Sequence, residues 1–344
     1  MNVLDIFCGA GGLSQGFKNA GYNIIAGIDN DRESIETYAY NFPNAISSLT
    51  DLSHKLDYDN LDFINSQIDI LVGGPPCQGF SVAGKRIADD PRNKLYKIYI
   101  DLIKTISPSA LVLENVPSLR SLYNGYIFEN ILSDFKKLDY KTHVWILNAD
   151  NYGVPQSRKR IFIIGLKNNK LLTEPEKTTP ISKITCSMAI SDLPLLKNQS
   201  GAMELDYIND SNSDYQNLMR MNSKKLYNHW RVEHKAKTID IIKLVPDGGN
   251  YKALPKHLQT TRRVNIAWTR MDSSKPCFTI DAGHNHHFHY AANRVPTVRE
   301  CARIQSFQDK FKFIGKKGSQ FRQVGNAVPP ILAYHIAKKL KEVL

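Results

Sequence analysis

Short apolar runs alternate with amphipathic stretches through the first third of the chain. Four mostly apolar runs predict strands buried on both faces of a sheet, at residues 3–7, 22–28, 68–72 and 110–113. The stretches between them predict helices that end near a glycine or a proline, at residues 13–20, 32–41 and 96–106. This alternation predicts an α/β fold with a doubly wound, mostly parallel, Rossmann-like sheet.

The pattern changes in the second half of the chain. Two further runs, at residues 144–147 and 160–165, bring the sheet to about seven strands if one unplaced edge strand is included. From about residue 170 to residue 281 the sequence is polar and rich in Asn, Ser and Lys, and only residues 235–244 have a helical pattern. A last helix, at residues 331–344, is expected to pack back onto the sheet. We therefore predict a large domain, residues 1–178 plus 310–344, and a smaller, irregular domain with a hinge, residues 179–309.

The net charge of +12 is unevenly distributed. Residues 1–100 contain 8 Lys and Arg against 12 Asp and Glu, whereas residues 220–275 contain 13 against 4. The basic segment is interleaved with aromatic residues and is typical of a surface that binds nucleic acid: Tyr227, Trp230, Tyr251 and Trp268. The alternative is a solvated basic face without a ligand.

The composition of the chain restricts the class of protein and its cellular location. With 344 residues, 42% of them hydrophobic, the chain can fill a large core, and it has no apolar stretch of membrane-spanning length. The five cysteines lack the spacing of zinc ligands, and the histidine cluster 284–289 matches no metal-ligand pattern. We therefore predict no metal, no disulfide framework, no contact with a membrane, and a reducing cytoplasm as the location.

A thiol stands just after the strand predicted at residues 68–72. Cys77 follows Gly73-Gly74-Pro75-Pro76, in which the glycines permit a tight bend and the prolines fix φ. Open α/β sheets keep their ligands and catalytic groups at such strand ends. The alternative is an ordinary buried cysteine.

A glycine-rich loop follows the first predicted strand and opens the first helix, where a ligand can approach the backbone closely. Ser14 stands where a dinucleotide fingerprint has its third glycine, which argues against NAD and favours another nucleoside cofactor. Asp29 ends the second strand and is placed either to bind ribose hydroxyls or to cap the next helix. Asp51 is a candidate acceptor for an adenine amino group.

Three strand ends are expected to meet at one rim of the sheet. They carry the glycine loop, Cys77 and Glu114, so a cofactor, a nucleophile and a carboxyl group would lie within reach of one another. The run Gln156-Ser157-Arg158-Lys159-Arg160 offers guanidinium groups to the same rim or to phosphates.

In this order, these blocks resemble the DNA (cytosine-5)-methyltransferase family of bacterial restriction-modification enzymes over nearly the whole chain. The matching blocks are residues 7–12, Pro75-Pro76-Cys77, Glu114-Asn115-Val116, the run 156–160, residues 299–305 and Gly325-Asn326. The resemblance implies the S-adenosylmethionine-dependent methyltransferase fold, and it makes the smaller domain a target-recognition domain.

The resemblance also implies a reaction. S-adenosyl-L-methionine would give its methyl group to carbon-5 of a flipped-out cytosine in a short double-stranded DNA sequence, leaving S-adenosyl-L-homocysteine. Cys77 would attack carbon-6, and Glu114 would donate a proton or hydrogen bond to ring nitrogen-3. Arg158 would hold the base oxygen and orient Glu114, and Arg160, in the same catalytic set, is expected to be structural only.

The cofactor would be bound by residues from several blocks: Phe7, Gly9, Ala10, Gly11, Gly12, Leu13, Asp29, Asn30, Asp51, Leu52, Pro75, Asn326 and Ala327. Three of these depart from the family pattern. Asp29 replaces the more usual Glu, Asn30 replaces an aromatic or apolar residue, and Ala327 replaces an occasional serine. Adenine stacking by residue 30 is therefore not expected.

Two groups of residues would contact DNA. The loop after the nucleophile is expected to close on DNA, with contacts from Gln78, Ser81, Lys85, Arg86 and Arg92. In the smaller domain, Arg262, Arg263 and Arg270 are candidates either for reading guanine or for binding phosphate.

The expected partner is double-stranded DNA, and the enzyme is expected to be a monomer. A cognate restriction endonuclease would act on the same site without forming a stable complex.

Two alternative functions are a cytosine-5 methyltransferase of structured RNA and a DNA-binding protein without catalysis. Gly79-Phe80 and the basic segment disfavour the first, and an intact set of Cys77, Glu114 and Arg158 disfavours the second.

Overall fold

The computed structural model describes residues 1–52, 66–75, 93–179, 181–196, 200–259, 268–282 and 287–344. The strands in these ranges are β1 (Asn2–Ile6), β2 (Asn23–Asp29), β3 (Ile46–Leu49), β4 (Ile70–Gly73), β5 (Ala110–Asn115), β6 (Lys141–Asn148), β7 (Lys159–Leu166), β8 (Gly201–Leu205), β9 (Leu226–Trp230), β10 (Thr269–Arg270) and β11 (His287–Phe288).

The helices in the same ranges are α1 (Gly12–Asn19), α2 (Arg32–Asn41), α3 (Asn93–Ile106), α4 (Tyr126–Lys137), α5 (Cys186–Ile190), α6 (Asp214–Arg220), α7 (Ala236–Lys243), α8 (Lys256–Gln259), α9 (Val298–Ile304), α10 (Lys317–Asn326) and α11 (Pro330–Lys341). Short 3₁₀ helices are found at Pro117–Arg120, Ala149–Tyr152 and Tyr251–Ala253.

Seven strands form one sheet in the order β3-β2-β1-β4-β5-β7-β6. The first five strands of this order pair in parallel, whereas β7 runs antiparallel to both β5 and β6. The predicted α/β class and mostly parallel sheet are confirmed. The edge strand that the sequence pattern could not place is β3, whose residues are all half-buried or exposed and so produce no apolar run.

The chain forms two compact units. The first unit consists of Met1–Asn148, Lys159–Glu176 and Leu332–Leu344, and the second of Ala149–Arg158 and Lys177–Ile331. These bounds differ from the predicted domains, because residues 149–158 and 310–331 belong to the second unit. Part of the reason is Arg299 in α9, which donates to the carbonyl oxygen of Phe311 and so ties this segment to α9.

The first unit has an apolar core. The fully buried side chains of the central strands, such as Leu4, Leu71 and Leu111, pack with helix residues such as Leu102 and Phe135. Helix α11 also packs on α1 without an intervening side chain, since Gly16 faces Ala333. The hydroxyl of Tyr22 donates to the carbonyl oxygen of Ala337 at 3.1 Å, which fixes the same helix.

The core of the second unit combines apolar side chains with buried ion pairs. Arg303 is fully buried, and its guanidinium donates to both carboxylate oxygens of Asp309 at 2.9 and 2.7 Å and to Asp192 at 2.5 Å. Burial alone would raise the pKa of Asp309, but the charge of Arg303 keeps that pKa below its ordinary value. Glu300 forms two 2.7 Å hydrogen bonds with Arg294 and completes a capping box with Thr297 at the start of α9.

Within the described ranges, no helix is both long enough and apolar enough to cross a membrane.

The contact between α1 and α11 is testable with two glycine substitutions. Gly16→Ala would place a Cβ 2.3 Å from the Cβ of Ala333 and 2.6 Å from the backbone nitrogen of Tyr334. Overpacking of this kind costs about 1–3 kcal/mol, so we expect a lower free energy of unfolding. Gly318→Ala is the matched control, because an added Cβ at this position of α10 meets no atom within 4 Å in the part of the chain that the structure describes. This variant should be neutral or more stable by up to about 1 kcal/mol. Urea denaturation compares the two, and equal midpoints would contradict the close helix contact.

Candidate active site

The predicted site lies along the carboxyl edge of the parallel strands. Strand β1 leads into the glycine loop, β2 ends at Asp29, β4 leads to Gly74, and β5 ends with Glu114 and Asn115. These four strands are neighbours in the sheet and run parallel, so their carboxyl ends share one edge. The glycine loop, Gly74 and Glu114 thus share one edge of the first unit, and the predicted meeting of these groups with Cys77 lies outside the described residues.

The glycine loop is held in an unusual backbone conformation. Phe7, Gly9 and Gly11 have φ angles of 56°, 51° and 92°. A side chain on Gly11 would lie 2.5 Å from the ring of Phe42, whereas no atom of the described residues lies within 4 Å of an added Cβ at Gly9. A left-handed conformation at a residue as bulky as Phe7 costs on the order of 1–3 kcal/mol, and such strain is concentrated at functional sites. The loop therefore presents open backbone at Gly9.

Asp29 ties this loop to the end of β2. Its Oδ2 accepts the backbone N–H of Gly9 at 2.8 Å, and its Oδ1 accepts that of Asp31 at 2.9 Å. Burial raises the pKa of Asp29, and these N–H donors lower it. The alternative role of Asp29 as the cap of α2 is wrong, because the side chain that accepts from Ser34 at the start of α2 is that of Asp31.

The surroundings of Asp29 fit a nucleoside cofactor. The carboxylate can accept from ribose hydroxyls, and the open backbone at Gly9 lies next to it. Strand β3 pairs with β2, and the backbone N–H of Thr50 donates to the carbonyl oxygen of Asp29, so Asp51 and the buried Leu52 follow on the same edge. Asn30 is exposed. Here the structure brings several of the predicted cofactor residues together.

The loop that leads towards the predicted nucleophile starts against Glu114. A Cβ on Gly74 would lie 2.9 Å from Oε2 of Glu114, and the side-chain amide of Asn115 donates to the carbonyl oxygen of Pro75 at 3.0 Å. Cys77 itself lies outside the described residues, as do the predicted DNA contacts Gln78, Ser81, Lys85, Arg86 and Arg92.

Arg160 is the arginine that pairs with Glu114. Its Nε lies 2.9 Å from Oε1 of Glu114, and both side chains are about nine-tenths buried. The expectation that Arg160 is structural stays a prediction, and the ion pair makes Arg160 a candidate for positioning Glu114. The antiparallel register of β5 and β7, in which Asn115 pairs with Ile161, brings the residue before Ile161 beside the carboxylate.

Arg158 belongs to the second unit and is 1% exposed. Its guanidinium donates to the carbonyl oxygens of Ile280 at 3.0 Å and Gly325 at 2.8 Å. The structure describes an ion pair of Glu114 with Arg160, and the role of Arg158 in orienting Glu114 stays a prediction. Two arginines of equal chemistry stand two residues apart, and only the fold distinguishes them.

Two glutamines that sequence reasoning did not single out connect the family blocks in the second unit. Gln156 accepts the backbone N–H of Ile280 at 2.9 Å and donates to Gln305. Gln305 in turn donates to the carbonyl oxygen of Ala327 at 2.5 Å. Asn326 is exposed beside Ala327 at the end of α10. Both glutamines lie within blocks that match the family pattern, and this match is the signal in the sequence that could have identified them.

Arg270 is not a base-reading residue, and that prediction is wrong. Its side chain is 4% exposed, and it donates to the carbonyl oxygens of Ile242, Val245, His289 and Ala292. Two of these carbonyls lie in the last turn of α7 and just beyond it, where a cation is favourable. The other candidates, Arg262 and Arg263, lie outside the described residues.

Comparison with known proteins identifies the family. A family model described as C-5 cytosine-specific DNA methylase matches residues 1–342. The type II methyltransferase M.DdeI of Desulfomicrobium norvegicum is 38% identical over 367 residues, which cover 99% of this chain and 88% of the relative. The type II methyltransferase M1.HphI of Haemophilus parahaemolyticus is 35% identical, over 98% of this chain and 86% of the relative.

Solved structures also match this chain over its full length. A DNA modification methyltransferase encoded within an E. coli prophage superimposes with a TM-score of 0.82 at 27% identity, over 100% of this chain and 99% of that chain. The S. pombe Dnmt2 methyltransferase, with a TM-score of 0.64 at 17% identity over 100% and 99% of the two chains, shares the fold.

The chain belongs to the C-5 cytosine-specific DNA methylase family. It is a DNA (cytosine-5-)-methyltransferase, and membership confirms the resemblance from which the sequence analysis argued. The fold and family imply S-adenosylmethionine as the cofactor.

The contribution of the ion pair between Arg160 and Glu114 is testable by a matched pair of substitutions. Arg160→Gln removes the partner of Oε1 of Glu114, and we expect a loss of about 10²-fold in kcat with little change in KM for S-adenosylmethionine. Lys159→Gln removes the same charge from an exposed neighbour on β7 and should leave kcat within about twofold. Steady-state methyl transfer to duplex DNA measures both. An equal loss in the two variants would mean that Arg160 contributes only charge.

Proposed function

We propose that Cys77 is the nucleophile of a cytosine-5 methyl transfer to double-stranded DNA and that Glu114 assists its attack. The observation that carries this proposal is that the chain leading to Cys77 lies against the end of β5: Gly74 lies beside Glu114, and Pro75 accepts a hydrogen bond from Asn115. A thiol two residues beyond Pro75 is within chain reach of that carboxyl group.

Methyl transfer to carbon-5 requires both the thiol and the carboxyl group. Carbon-5 of cytosine is a poor nucleophile, and addition of a thiolate at carbon-6 makes the ring an enamine that can take a methyl group at carbon-5. The electron pair displaced by this addition moves towards ring nitrogen-3, where a proton or hydrogen bond from Glu114 would stabilise it. Loss of the carbon-5 proton then expels the thiolate and restores the ring.

The ion pair with Arg160 sets how Glu114 would act. Arg160 holds Oε1, while Oε2 lies on the side of Gly74. This arrangement points Oε2 towards the loop that carries Cys77. A carboxyl group held in this way needs no reorganisation when a base enters.

S-adenosylmethionine would supply the methyl group from the carboxyl edge of β1 and β2. The glycine loop, residues 7–13, would bind its methionine part and Asp29 its ribose hydroxyls. Asp51 and Leu52 would contact the adenine, and Pro75 would complete this part of the site. Asn30, exposed and polar, supplies no stacking surface.

The second unit would recognise the target sequence. Its described surface carries exposed lysines at Lys235, Lys237, Lys243, Lys252 and Lys256, which suit phosphate binding. The target cytosine would be flipped out of the duplex, because attack on carbon-6 is impossible within the base stack. The relatives are named type II methyltransferases, which supports a modification enzyme of a restriction-modification system. In this proposal it acts as a cytoplasmic monomer beside an endonuclease of the same specificity.

The nucleophile is tested by trapping. Duplex DNA with 5-fluorocytosine at the target position cannot lose its carbon-5 substituent as a proton, so the wild-type enzyme should remain covalently attached in the presence of S-adenosylmethionine. Cys77→Ala should form no adduct and lose methyl transfer entirely. Cys301→Ala, which alters a buried thiol of α9, is the control and should still form the adduct. An adduct in the Cys77→Ala protein would assign the nucleophile elsewhere.

The substrate is tested by parallel assays on duplex DNA and transfer RNA with tritiated cofactor. We expect transfer to DNA only, and bisulfite sequencing of the product then gives the target cytosine. Transfer to RNA at a comparable rate would contradict the assignment of DNA as the substrate.

A further inference from the structure

Asp5 is a buried carboxyl group beneath the glycine loop. It lies on β1 opposite Gly27 of β2, so the alternation of strand residues places it on the same face of the sheet as Asp29. Its side chain is 0% exposed. Oδ2 accepts both the backbone N–H of Ser14 at 3.2 Å and its hydroxyl at 2.7 Å. The carboxyl group thus holds the first turn of α1, which begins where the loop ends.

A second hydroxyl extends this contact to α2. Because the single hydroxyl hydrogen of Ser14 is donated to Asp5, the 2.7 Å contact with Tyr38 is a hydrogen bond donated by the tyrosine. The ring of Tyr38 lies over Gly27, where an added Cβ would meet it at 2.2 Å. Asp5 is therefore fixed under the loop by residues from β1, α1 and α2.

The other oxygen of Asp5 has no such support. Oδ1 has no hydrogen-bond partner within the described part of the chain. The titratable groups that interact electrostatically with Asp5 there are Cys8 and Asp29 beside the loop, Tyr38 on α2 and Tyr99 on α3. None of the four can carry a positive charge. Burial raises the pKa of Asp5 to about 7; the hydrogen bonds of Ser14 act against this increase, and the charge of Asp29 adds to it.

We propose that Asp5 is a specificity-determining residue that favours the methyl donor over the spent cofactor by charge. The proposal rests on the proposed binding of the cofactor at the glycine loop. S-adenosylmethionine carries a sulfonium cation, and S-adenosylhomocysteine has a neutral thioether in its place, so the two ligands differ by one positive charge near the same loop. Asp5 and Asp29 place two carboxyl groups on one face of the sheet, and none of the described groups that interact with Asp5 is a cation. The buried Asp5 carboxylate is therefore stabilised by the sulfonium of S-adenosylmethionine and not by the neutral thioether of S-adenosylhomocysteine.

Linkage gives this preference a pH dependence. A cation that favours the ionised form of Asp5 lowers its pKa, so donor binding releases a proton, and deprotonation of Asp5 strengthens donor binding by the same factor. The donor-to-product preference should therefore increase as the pH rises through the pKa of Asp5 in the free enzyme. Product release would be helped in the same way, since loss of the sulfonium charge removes the attraction.

The test measures binding, without DNA or turnover. Isothermal titration calorimetry gives Kd for each ligand from about pH 5.5 to about pH 7.5, below the main titration of the amino group that both ligands share. In the wild type, the ratio of Kd for S-adenosylhomocysteine to Kd for S-adenosylmethionine should rise about tenfold over this range. This rise corresponds to donor binding that lowers the pKa of Asp5 by about one unit. In Asp5→Asn the ratio should not change with pH. Asp101→Asn, an exposed carboxylate paired with Lys104 on α3, is the control and should match the wild type.

Ser14→Ala keeps the test decisive if Asp5→Asn does not fold. It removes a hydrogen bond that lowers the pKa of Asp5, so the rise in the ratio should move to higher pH. A ratio that is flat in the wild type, or that has the same pH dependence in the wild type and Asp5→Asn, would overturn the proposal. Failure of the wild type to bind either ligand would instead contradict the proposed function.

Discussion

The active-site edge depends on the close approach of Gly74 to the carboxylate of Glu114. Parallel pairing of β4 and β5 aligns Gly73 with Leu113, so the next residue of each strand meets across the edge. A side chain at position 74 would crowd Oε2 of Glu114, because its Cβ would lie only 2.9 Å from that oxygen. On the other side Arg160 holds Oε1. The carboxyl group is thus confined between a backbone without a side chain and a guanidinium, and this confinement fixes the position of Glu114 at the edge of the sheet.

The sequence predicted the elements whose signal is local. Strands β1, β2, β4 and β5 are continuous apolar runs because both faces are buried, and their order along the chain already placed the glycine loop, Asp29 and Glu114 at one edge. It could not predict that β7 inserts antiparallel between β5 and β6, because an apolar run has no direction. For the same reason the roles of Arg158 and Arg160 could not be separated, since strand register alone brings one of them to Glu114.

The second unit was harder to predict because much of its core is not apolar. Arg299, Arg303 and Arg270 are fully or almost fully buried, and each satisfies its guanidinium with carboxylates or backbone carbonyls. A charged residue in a sequence indicates a surface by default, so Arg270 was assigned to DNA. The hydrophobic periodicity weakens in this segment for the same reason. Buried ion pairs of this kind tolerate little change, because removing one partner leaves the other charge uncompensated.

The position of α11 in the chain has a consequence for biosynthesis. Most of this helix follows the second unit in the chain, yet it packs on α1, which precedes that unit, and it accepts the hydroxyl of Tyr22. The first unit therefore cannot close its hydrophobic surface until α11 has left the ribosome, after the second unit has been translated. Until then the nascent chain exposes the surface of α1 that α11 covers, and chaperones would be needed most during this interval.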